Sequence, residues 1–377
     1  MRSTRFIVGL IAAAILTKLC VFLYIIGQAP QAVVCIDSHG YLRDAQAWMN
    51  FFHAPSAGLW HSFYRTPGYT FFLAVFHGLA GIPLAGIVLL QLALNILSAI
   101  IVYKMLAGLG PWTGLLGAAI VLLDLPTTVY STMILTESLH LFFITLFLFS
   151  FIKYMDNRKL KWLAVAGLFL GTSIYVRPAG YYLGFAVAGF IVYLWGMGKA
   201  RTGIRHALLF LFIIYAFLAV WEYHNMKTPP YREFALCNID NATVKLHGLF
   251  GSYGREKNPH LKQLPPAAYY VVSTLRHFFS LMTTPGDMKY LGSKAWRLFG
   301  AVFGYLLVIV WWIGLAAGIF KDKKDDVYKF LALVILYFVC VTIVAIGWGV
   351  GARFRVPMVT ALAILSARGW RTLIFRA

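Results

Sequence analysis

Long apolar runs recur along the whole chain and are separated by polar segments. A helix needs about 20 mostly apolar residues to cross the hydrocarbon core of a bilayer, so such runs predict membrane-spanning helices. The first run, Phe6 to Ile26, is longer than the roughly 7 to 15 apolar residues of a signal peptide, and we interpret it as a span. Nine further runs are centred on residues 84–103, 113–125, 138–152, 161–176, 180–196, 206–223, 298–320, 328–347 and 356–367. The pattern predicts an all-α polytopic membrane protein with about ten transmembrane helices.

Two segments between the predicted spans are longer than simple turns. Residues 28–83 are polar at first and apolar later, and Tyr69 to Leu79 has the pattern of an amphipathic helix lying in the membrane interface. Residues 225–297 contain proline and glycine breakers on both sides of a helical pattern from Ala267 to Leu281. We therefore expect a single integral membrane domain over residues 1–377, with interfacial helices in the first outer loop and a large second outer loop.

Composition excludes a soluble protein. Of the 377 residues 60% are apolar and only 12% are charged, whereas a soluble domain has about a quarter charged residues. The 33 Lys and Arg against 13 Asp and Glu give a formal charge of +20. These basic residues lie in short clusters between the apolar runs rather than in one stripe, so they indicate membrane topology and not nucleic-acid binding.

The distribution of basic residues sets the orientation. With the N-terminus in the cytoplasm, most basic residues of the short loops lie on the cytoplasmic side, as the positive-inside rule requires. Arginines in short outer segments are exceptions that need a local reason, and a negatively charged ligand is the economical one. The exceptions are Arg43, Arg65, Arg177, Arg353 and Arg355. Pairing of Arg43 with its neighbour Asp44, and binding of lipid head groups, remain alternatives.

Two acids in the predicted outer segments are candidate catalytic groups. Asp37 follows the first span by about ten residues, and Glu137 lies at the outer mouth of a later span. Each also suits the start of a helix, so an N-cap role for Asp37, and capping by Thr136 or a helix-dipole contact for Glu137, stay open. Cys35 and Cys237 both fall in outer segments, where a disulfide and two free thiols are both open.

Five short motifs follow one another on the predicted outer side. They are Asp37 with Tyr41 four residues later, Arg65-Thr66-Pro67-Gly68-Tyr69, Thr136-Glu137-Ser138, Arg177-Pro178, and Arg353-Phe354-Arg355-Val356-Pro357. In order and membrane side they resemble the polytopic GT-C glycosyltransferases. Within that superfamily the chain is most similar to the branch of the protein mannosyltransferases and the lipid A aminoarabinose transferases, which use polyprenyl-phosphate sugars. The resemblance covers residues 1–195 and, through one motif, the final span.

This resemblance implies an enzyme that moves a sugar from a polyprenyl-phosphate donor to an acceptor hydroxyl, with inversion. It implies that Asp37 is the essential base and Glu137 the second acid of the site. The other expected site residues bind substrate, with arginines holding the lipid phosphate: Tyr41, Arg65, Tyr69, Arg177, Arg353 and Arg355. A tyrosine such as Tyr41 is also a common interface anchor. The expected partners are the polyprenyl-phosphate sugar, a lipid, glycan or protein acceptor, and the bilayer. The expected location is the bacterial inner (plasma) membrane, with the site facing the periplasm or exterior.

One departure from the family concerns metals. Many relatives have two adjacent acids in the first outer loop, whereas this chain has Asp37-Ser38. That difference is unfavourable to a metal at the loop. A divalent metal cofactor stays open as an alternative, but the spacing of the outer histidines and acids does not support it.

Three other functions compete with this interpretation. A polyprenyl-diphosphate glycan ligase would need similar outer arginines. A lipid flippase or transporter would be expected to have charged residues near mid-membrane and related halves. A non-catalytic scaffold would tolerate substitution of both acids.

Overall fold

The computed structural model describes residues 2–28, 30–53, 65–227, 265–284, 294–322, 325–346 and 351–374. Cys237 and most of the predicted second outer loop lie outside these residues, and Cys35 carries a free thiol. The α-helices are α1 (Arg2–Gln28), α2 (Ile36–His53), α3 (Pro67–Leu73), α4 (Leu84–Leu106), α5 (Pro111–Leu123), α6 (Leu125–Ser131), α7 (Glu137–Asn157), α8 (Leu160–Val176), α9 (Leu183–Trp195), α10 (Ala200–Lys227), α11 (Pro266–Thr283), α12 (Lys294–Asp322), α13 (Asp326–Ile346) and α14 (Val359–Ile374).

The all-helical membrane architecture expected from the apolar runs is confirmed. Each of the ten predicted runs coincides with one of these helices. Within the described ranges, seven helices are long and apolar enough to cross a membrane, and the bent pair α5 and α6 makes an eighth. The two remaining runs correspond to α8 and α14, which have 17 and 16 residues.

The run predicted at residues 113–125 is bent rather than straight. The axes of α5 and α6 differ by 52°. The break falls at Asp124, whose carboxylate accepts a hydrogen bond from the backbone N–H of Thr127 at 2.9 Å and so caps α6. This bend places Tyr130 and the segment before α7 beside the outer loops.

Helix α7 lies at the centre of the bundle and packs against α4 and α8. Its side chains Phe147 and Phe151 are completely buried and form ring contacts with Phe210 of α10 and Phe330 of α13. Since lipid is as apolar as these side chains, such helices associate through close packing rather than through a hydrophobic driving force. The N-terminus of α7 is thereby held at a fixed position.

The first outer loop contains the helices that the sequence predicts there. The amphipathic pattern of Tyr69 to Leu79 appears as α3, which begins at Pro67 and continues as a π-helical segment over Ala74–Leu79. Trp48 of α2 donates a hydrogen bond from its indole nitrogen to Thr70 Oγ1 at 3.1 Å, so α2 and α3 are joined by a polar contact as well as by apolar packing. The pattern at Ala267 to Leu281 corresponds to α11.

Candidate active site

Charged side chains from five separate segments meet at one end of the bundle. We call Asp37, Arg65, Glu137, Arg177 and Arg353 the outer cluster. They come from the first turn of α2, the residues before α3, the first turn of α7, the residue after α8, and the short 3₁₀ helix Ala352–Met358 that precedes α14. Residues far apart in the sequence are therefore brought into hydrogen-bonding distance.

Asp37 accepts hydrogen bonds from two arginines. Arg353 Nη1 donates to Asp37 Oδ2 at 2.7 Å, and Arg65 Nη2 donates to Asp37 Oδ1 at 3.2 Å. Partial burial by itself would raise the pKa of Asp37, but the hydrogen bonds and charges of Arg353 and Arg65 outweigh it and hold this pKa below its usual value. The carboxylate is 36% exposed, so water reaches it from one side.

Glu137 is buried beneath the other members of the cluster. Its side chain is 1% exposed, and Oε1 accepts hydrogen bonds from Arg177 Nη1 at 2.7 Å and from Arg353 Nε at 2.5 Å. Thr136 is the N-cap residue of α7 but makes no side-chain cap; its hydroxyl donates to Glu137 Oε2 at 3.4 Å instead. The expected alternative of capping by Thr136 is therefore wrong.

Arg353 joins the two acids, since its Nε donates to Glu137 and its Nη1 to Asp37. Burial alone would lower the pKa of Arg353, but the charges and hydrogen bonds of Glu137 and Asp37 raise it. Three guanidinium groups face two carboxylates, so the outer cluster carries one excess positive charge. Such a planar, permanently charged group suits phosphate binding.

Arg65 lies over the ring of Tyr41, with the guanidinium carbon 4.3 Å from the ring centroid. Its Nε is buried and has no hydrogen-bond partner among the residues that the structure describes. A Cβ at Gly40 would lie 2.8 Å from this Nε, so a larger residue at that position of α2 would require the Arg65 side chain to shift. Sequence analysis missed Gly40, although a glycine inside a helix costs about 1 kcal/mol and so signals a local requirement.

Arg355 does not lie in the outer cluster, although the sequence analysis grouped it there. It is 1% exposed, donates to the carbonyl oxygens of Leu281 and Thr284 at 3.0 and 2.9 Å, and lies 3.6 Å from Asp124. Burial lowers the pKa of Arg355, and the charge of Asp124 opposes this effect. Lys18 of α1 is also 1% exposed and donates to Thr128 in α6. We call Lys18, Asp124 and Arg355 the buried cluster.

Two further predicted residues occupy supporting positions. Tyr69 is completely buried; its hydroxyl donates to Gln91 Oε1 at 2.6 Å, and its ring packs edge-on against Tyr41 at 5.1 Å. It therefore supports Tyr41, which contacts Arg65. Arg43 pairs with Asp44 at 3.2 Å and is 68% exposed, which is the alternative that sequence analysis kept open for it.

An apolar groove of about 580 Å³ lies next to the outer cluster. Pro67, Leu139 and Val176 line it, and each is within two residues of a cluster arginine or glutamate. Trp48 and Trp221 also line it. Three of the five segments that carry the outer cluster thus also contribute walls of the groove. An anionic group would match the charge of the cluster, and an apolar tail would match the lining of the groove.

The residues of the outer cluster do not fit a divalent metal. Within the described ranges no group of three or more His, Cys, Asp or Glu side chains could hold a metal ion. The two carboxylates of the cluster already accept guanidinium N–H groups, and a divalent ion would have to displace them.

Comparison with known families supports the resemblance inferred from the motifs. Residues 64–223 match the family model of the dolichyl-phosphate-mannose-protein mannosyltransferases. This segment includes Arg65, Tyr69, Glu137 and Arg177, whereas Asp37 and Arg353 lie outside it. None of the curated proteins compared with the sequence matches it significantly.

Solved structures share the fold. The apo oligosaccharyltransferase of Archaeoglobus fulgidus is 11% identical, with a TM-score of 0.57 over 98% of this chain and 51% of that one. The same protein, AglB, with an inhibitory peptide and a dolichol-phosphate gives a TM-score of 0.54 at 11% identity, over 98% of this chain and 50% of that one. Its complex with Zn and sulfate gives 0.52 at 12% identity, over 84% and 41%. The chain spans about half the length of these proteins. The GT-C resemblance and the GT-C membrane fold are confirmed.

Proposed function

We propose that this chain, which has the all-helical GT-C membrane fold, is a glycosyltransferase that moves a sugar from a polyprenyl-phosphate donor to an acceptor hydroxyl. The observation that carries the proposal is a cluster of three guanidinium groups and two carboxylates, accompanied by an apolar groove of about 580 Å³ whose lining residues Pro67, Leu139 and Val176 lie within two residues of cluster members along the chain. A polyprenyl phosphate has the complementary chemistry, because its phosphate is anionic and its chain apolar. The family whose model matches is named for a donor of this class.

The proposed reaction is a single displacement with inversion. The acceptor hydroxyl oxygen bonds to the anomeric carbon of the sugar, and the bond between that carbon and the phosphate oxygen breaks. The electron pair of the broken bond stays on the polyprenyl phosphate, and the hydroxyl proton passes to Asp37. Asp37 is assigned this role because it is the more exposed of the two acids, 36% against 1% for Glu137.

The leaving phosphate gains negative charge during this step, so fixed positive charges near it lower the barrier. Arg65, Arg177 and Arg353 would supply them, since each guanidinium can offer two N–H groups to phosphate oxygens. Glu137 completes the site as its second acid, and Tyr41 would contact the sugar from beside Arg65. The contacts of Arg355 exclude it from this role.

The partners follow from the site's position. We propose that the outer cluster faces the periplasm or exterior across the inner membrane of a bacterium. The polyprenyl chain would lie in the groove between α3, α7 and α8. The acceptor would be a lipid, glycan or protein whose hydroxyl reaches the membrane boundary.

The proposal can be tested with purified protein, radiolabelled polyprenyl-phosphate sugars and a membrane extract as the source of acceptor. We expect the label to move from the donor to a lipid, glycan or protein fraction. Asp37→Asn should reduce this transfer by roughly 10²- to 10⁴-fold, the usual contribution of a general base. Arg43→Gln removes an exposed arginine from the same helix and is the matched control, with transfer close to wild type.

Three outcomes would contradict the proposal. Transfer by Asp37→Asn close to wild type would remove Asp37 from the mechanism. Transfer only from a polyprenyl-diphosphate glycan would indicate the ligase. Wild-type biological activity in both Asp37→Asn and Glu137→Gln would indicate a non-catalytic scaffold.

A further inference from the structure

Asp37 has both carboxylate oxygens occupied by guanidinium groups. Its two oxygens accept N–H groups from Arg353 at 2.7 Å and from Arg65 at 3.2 Å. A carboxylate in this state is stabilised in its charged form and accepts a proton poorly. In the ligand-free protein Asp37 is therefore poorly suited to take a proton, whereas the proposed reaction needs it to accept the proton of the acceptor hydroxyl.

Glu137 holds Arg353 independently of Asp37. Arg353 uses Nε for Glu137 and Nη1 for Asp37, so one contact can be lost while the other remains. Glu137 is 1% exposed and also holds Arg177, whereas Asp37 is 36% exposed. An incoming anion from the water or lipid side reaches the Asp37 contact first.

Charge balance favours the exchange. The three arginines and two acids of the outer cluster carry a net charge of +1, because the three guanidinium groups share two carboxylates. A phosphodiester carries one negative charge and offers two free oxygens to guanidinium N–H groups. Its binding would neutralise the cluster and would compete with Asp37 for Arg353 and Arg65.

We propose that Arg353 is shared between Asp37 and the donor phosphate, and that phosphate binding withdraws it from Asp37 while Glu137 keeps it in the site. Asp37 then becomes free to take the acceptor proton only when a donor is bound. In this scheme Glu137 is a positioning residue and does not exchange a proton with substrate. The inference deepens the proposed function and rests on it.

Within the part of the chain that the structure describes, charged groups approach Asp37 from several elements. Arg65 approaches from the segment before α3, and Arg353 from the 3₁₀ helix before α14. Glu137 and Arg177 lie behind Arg353 at the start of α7 and the end of α8. His39, on α2 itself, is exposed. Only Arg65 and Arg353 donate to Asp37 among the described residues, so these two decide its proton affinity.

The test uses the full-length protein in lipid nanodiscs and farnesyl phosphate as the probe. Between pH 3 and 5 this monoester carries about one negative charge, like the phosphodiester of the donor, because its second pKa is about 6. Protonation of Asp37 is followed by NMR of ¹³C-labelled aspartate carboxyls, with the signal assigned from its loss in Asp37→Asn. We expect farnesyl phosphate to raise the pKa of Asp37 by about 1 unit or more, since a neighbouring arginine lowers an aspartate pKa by about 1 to 3 units.

A variant separates the exchange from simple repulsion between two negative groups. Arg353→Gln should raise the Asp37 pKa in the free protein and remove most of the further rise on ligand binding. A rise caused only by the through-space charge of the phosphate would persist in this variant and overturn the proposal. Arg43→Gln should respond as wild type. If Arg353→Gln does not fold, Arg353→Lys can replace it. Lysine keeps the positive charge but has one ammonium group in place of the guanidinium fork, so the rise in the Asp37 pKa on ligand binding should be smaller than in wild type.

The outcomes distinguish the inference from the function on which it rests. Saturable binding of farnesyl phosphate with no change in the Asp37 pKa would overturn the exchange and leave the proposed function standing. Absence of saturable binding would overturn both. Binding with a rise that depends on Arg353 is the result expected.

Discussion

Two charged regions of this protein each take one arginine from the same short 3₁₀ helix, yet the two arginines differ in exposure and in partners. In the outer cluster Arg353 is 23% exposed and faces carboxylates that a ligand can replace. In the buried cluster Arg355 is 1% exposed, and its partners are backbone carbonyl groups and Asp124, which is equally buried. The side of the membrane and the residue type are shared. The arginine that we propose to bind substrate therefore differs from the structural one in its exposure and in having side-chain carboxylates as partners.

The largest effect on stability is expected in the buried cluster. Arg355→Gln should lower the free energy of unfolding by about 3 kcal/mol, the lower end of the range for breaking a buried ion pair, because Asp124 loses its nearest cation and keeps only Lys18 of the buried cluster. Chemical unfolding in mild detergent would measure the loss. An Arg355→Gln protein as stable as wild type would contradict the structural role assigned to this arginine.

The buried acid of the outer cluster should have a smaller effect. Glu137→Gln weakens two charge-assisted hydrogen bonds, each worth about 1.5 to 3 kcal/mol, but Arg353 keeps Asp37 and water reaches the cluster. We expect the same unfolding experiment to give a loss below that of Arg355→Gln. The reverse order would mean that the outer cluster, rather than the buried one, stabilises the fold.

The exposed acid of the outer cluster should give a pH-dependent effect. Because the folded pKa of Asp37 lies below its usual value of about 3.9, its contribution to stability is complete above that pH and is lost as pH falls through the folded pKa. The difference in melting temperature between wild type and Asp37→Asn should therefore shrink as the pH drops below about 4. A difference independent of pH would show that the arginine contacts of Asp37 do not stabilise its charged form.

The smallest effect is expected at Arg43. Its guanidinium is 68% exposed, so water screens its contact with the buried Asp44 and can replace it, which keeps the pair near the value of about 0.2 to 1 kcal/mol that exposed ion pairs typically have. Arg43→Gln should thus change the free energy of unfolding by less than about 1 kcal/mol. A larger loss would indicate that the buried carboxylate of Asp44, whose pKa burial raises, depends on this arginine.

The sequence predicts the spans well because lipid imposes a strong and uniform requirement on every one of them. All ten apolar runs correspond to helices, including α8 and α14, which are short for a span. The bend at Asp124 was not predicted, because one acid next to Pro126 at the end of an apolar run is also compatible with a plain terminus. Helix boundaries and bends depend on capping and on neighbours that sequence periodicity does not contain.

The sequence predicts the charged residues of the outer cluster but not the uncharged residues that contact them. Arg65, Arg177 and Arg353 are arginines in outer segments, where the positive-inside rule already demands a local explanation. Asp37 and Glu137 were found as acids at the starts of helices in those segments. The same rule selected Arg355, because it registers charge and side but not burial. It gave no indication of Gly40, Tyr130 or Phe354, whose contacts with the arginines of the outer cluster arise only from tertiary packing.

The 3₁₀ helix Ala352–Met358 constrains how this chain can change in length. Successive residues of a 3₁₀ helix are rotated by about 120°, so two arginines separated by one residue project in different directions. Adding or deleting a single residue between them would rotate one arginine out of alignment with its partners, whatever residue were chosen. The one-residue spacing between Arg353 and Arg355 therefore fixes the directions of both arginines. Homologous proteins that keep both clusters should conserve this spacing more strictly than the identity of the residue at position 354.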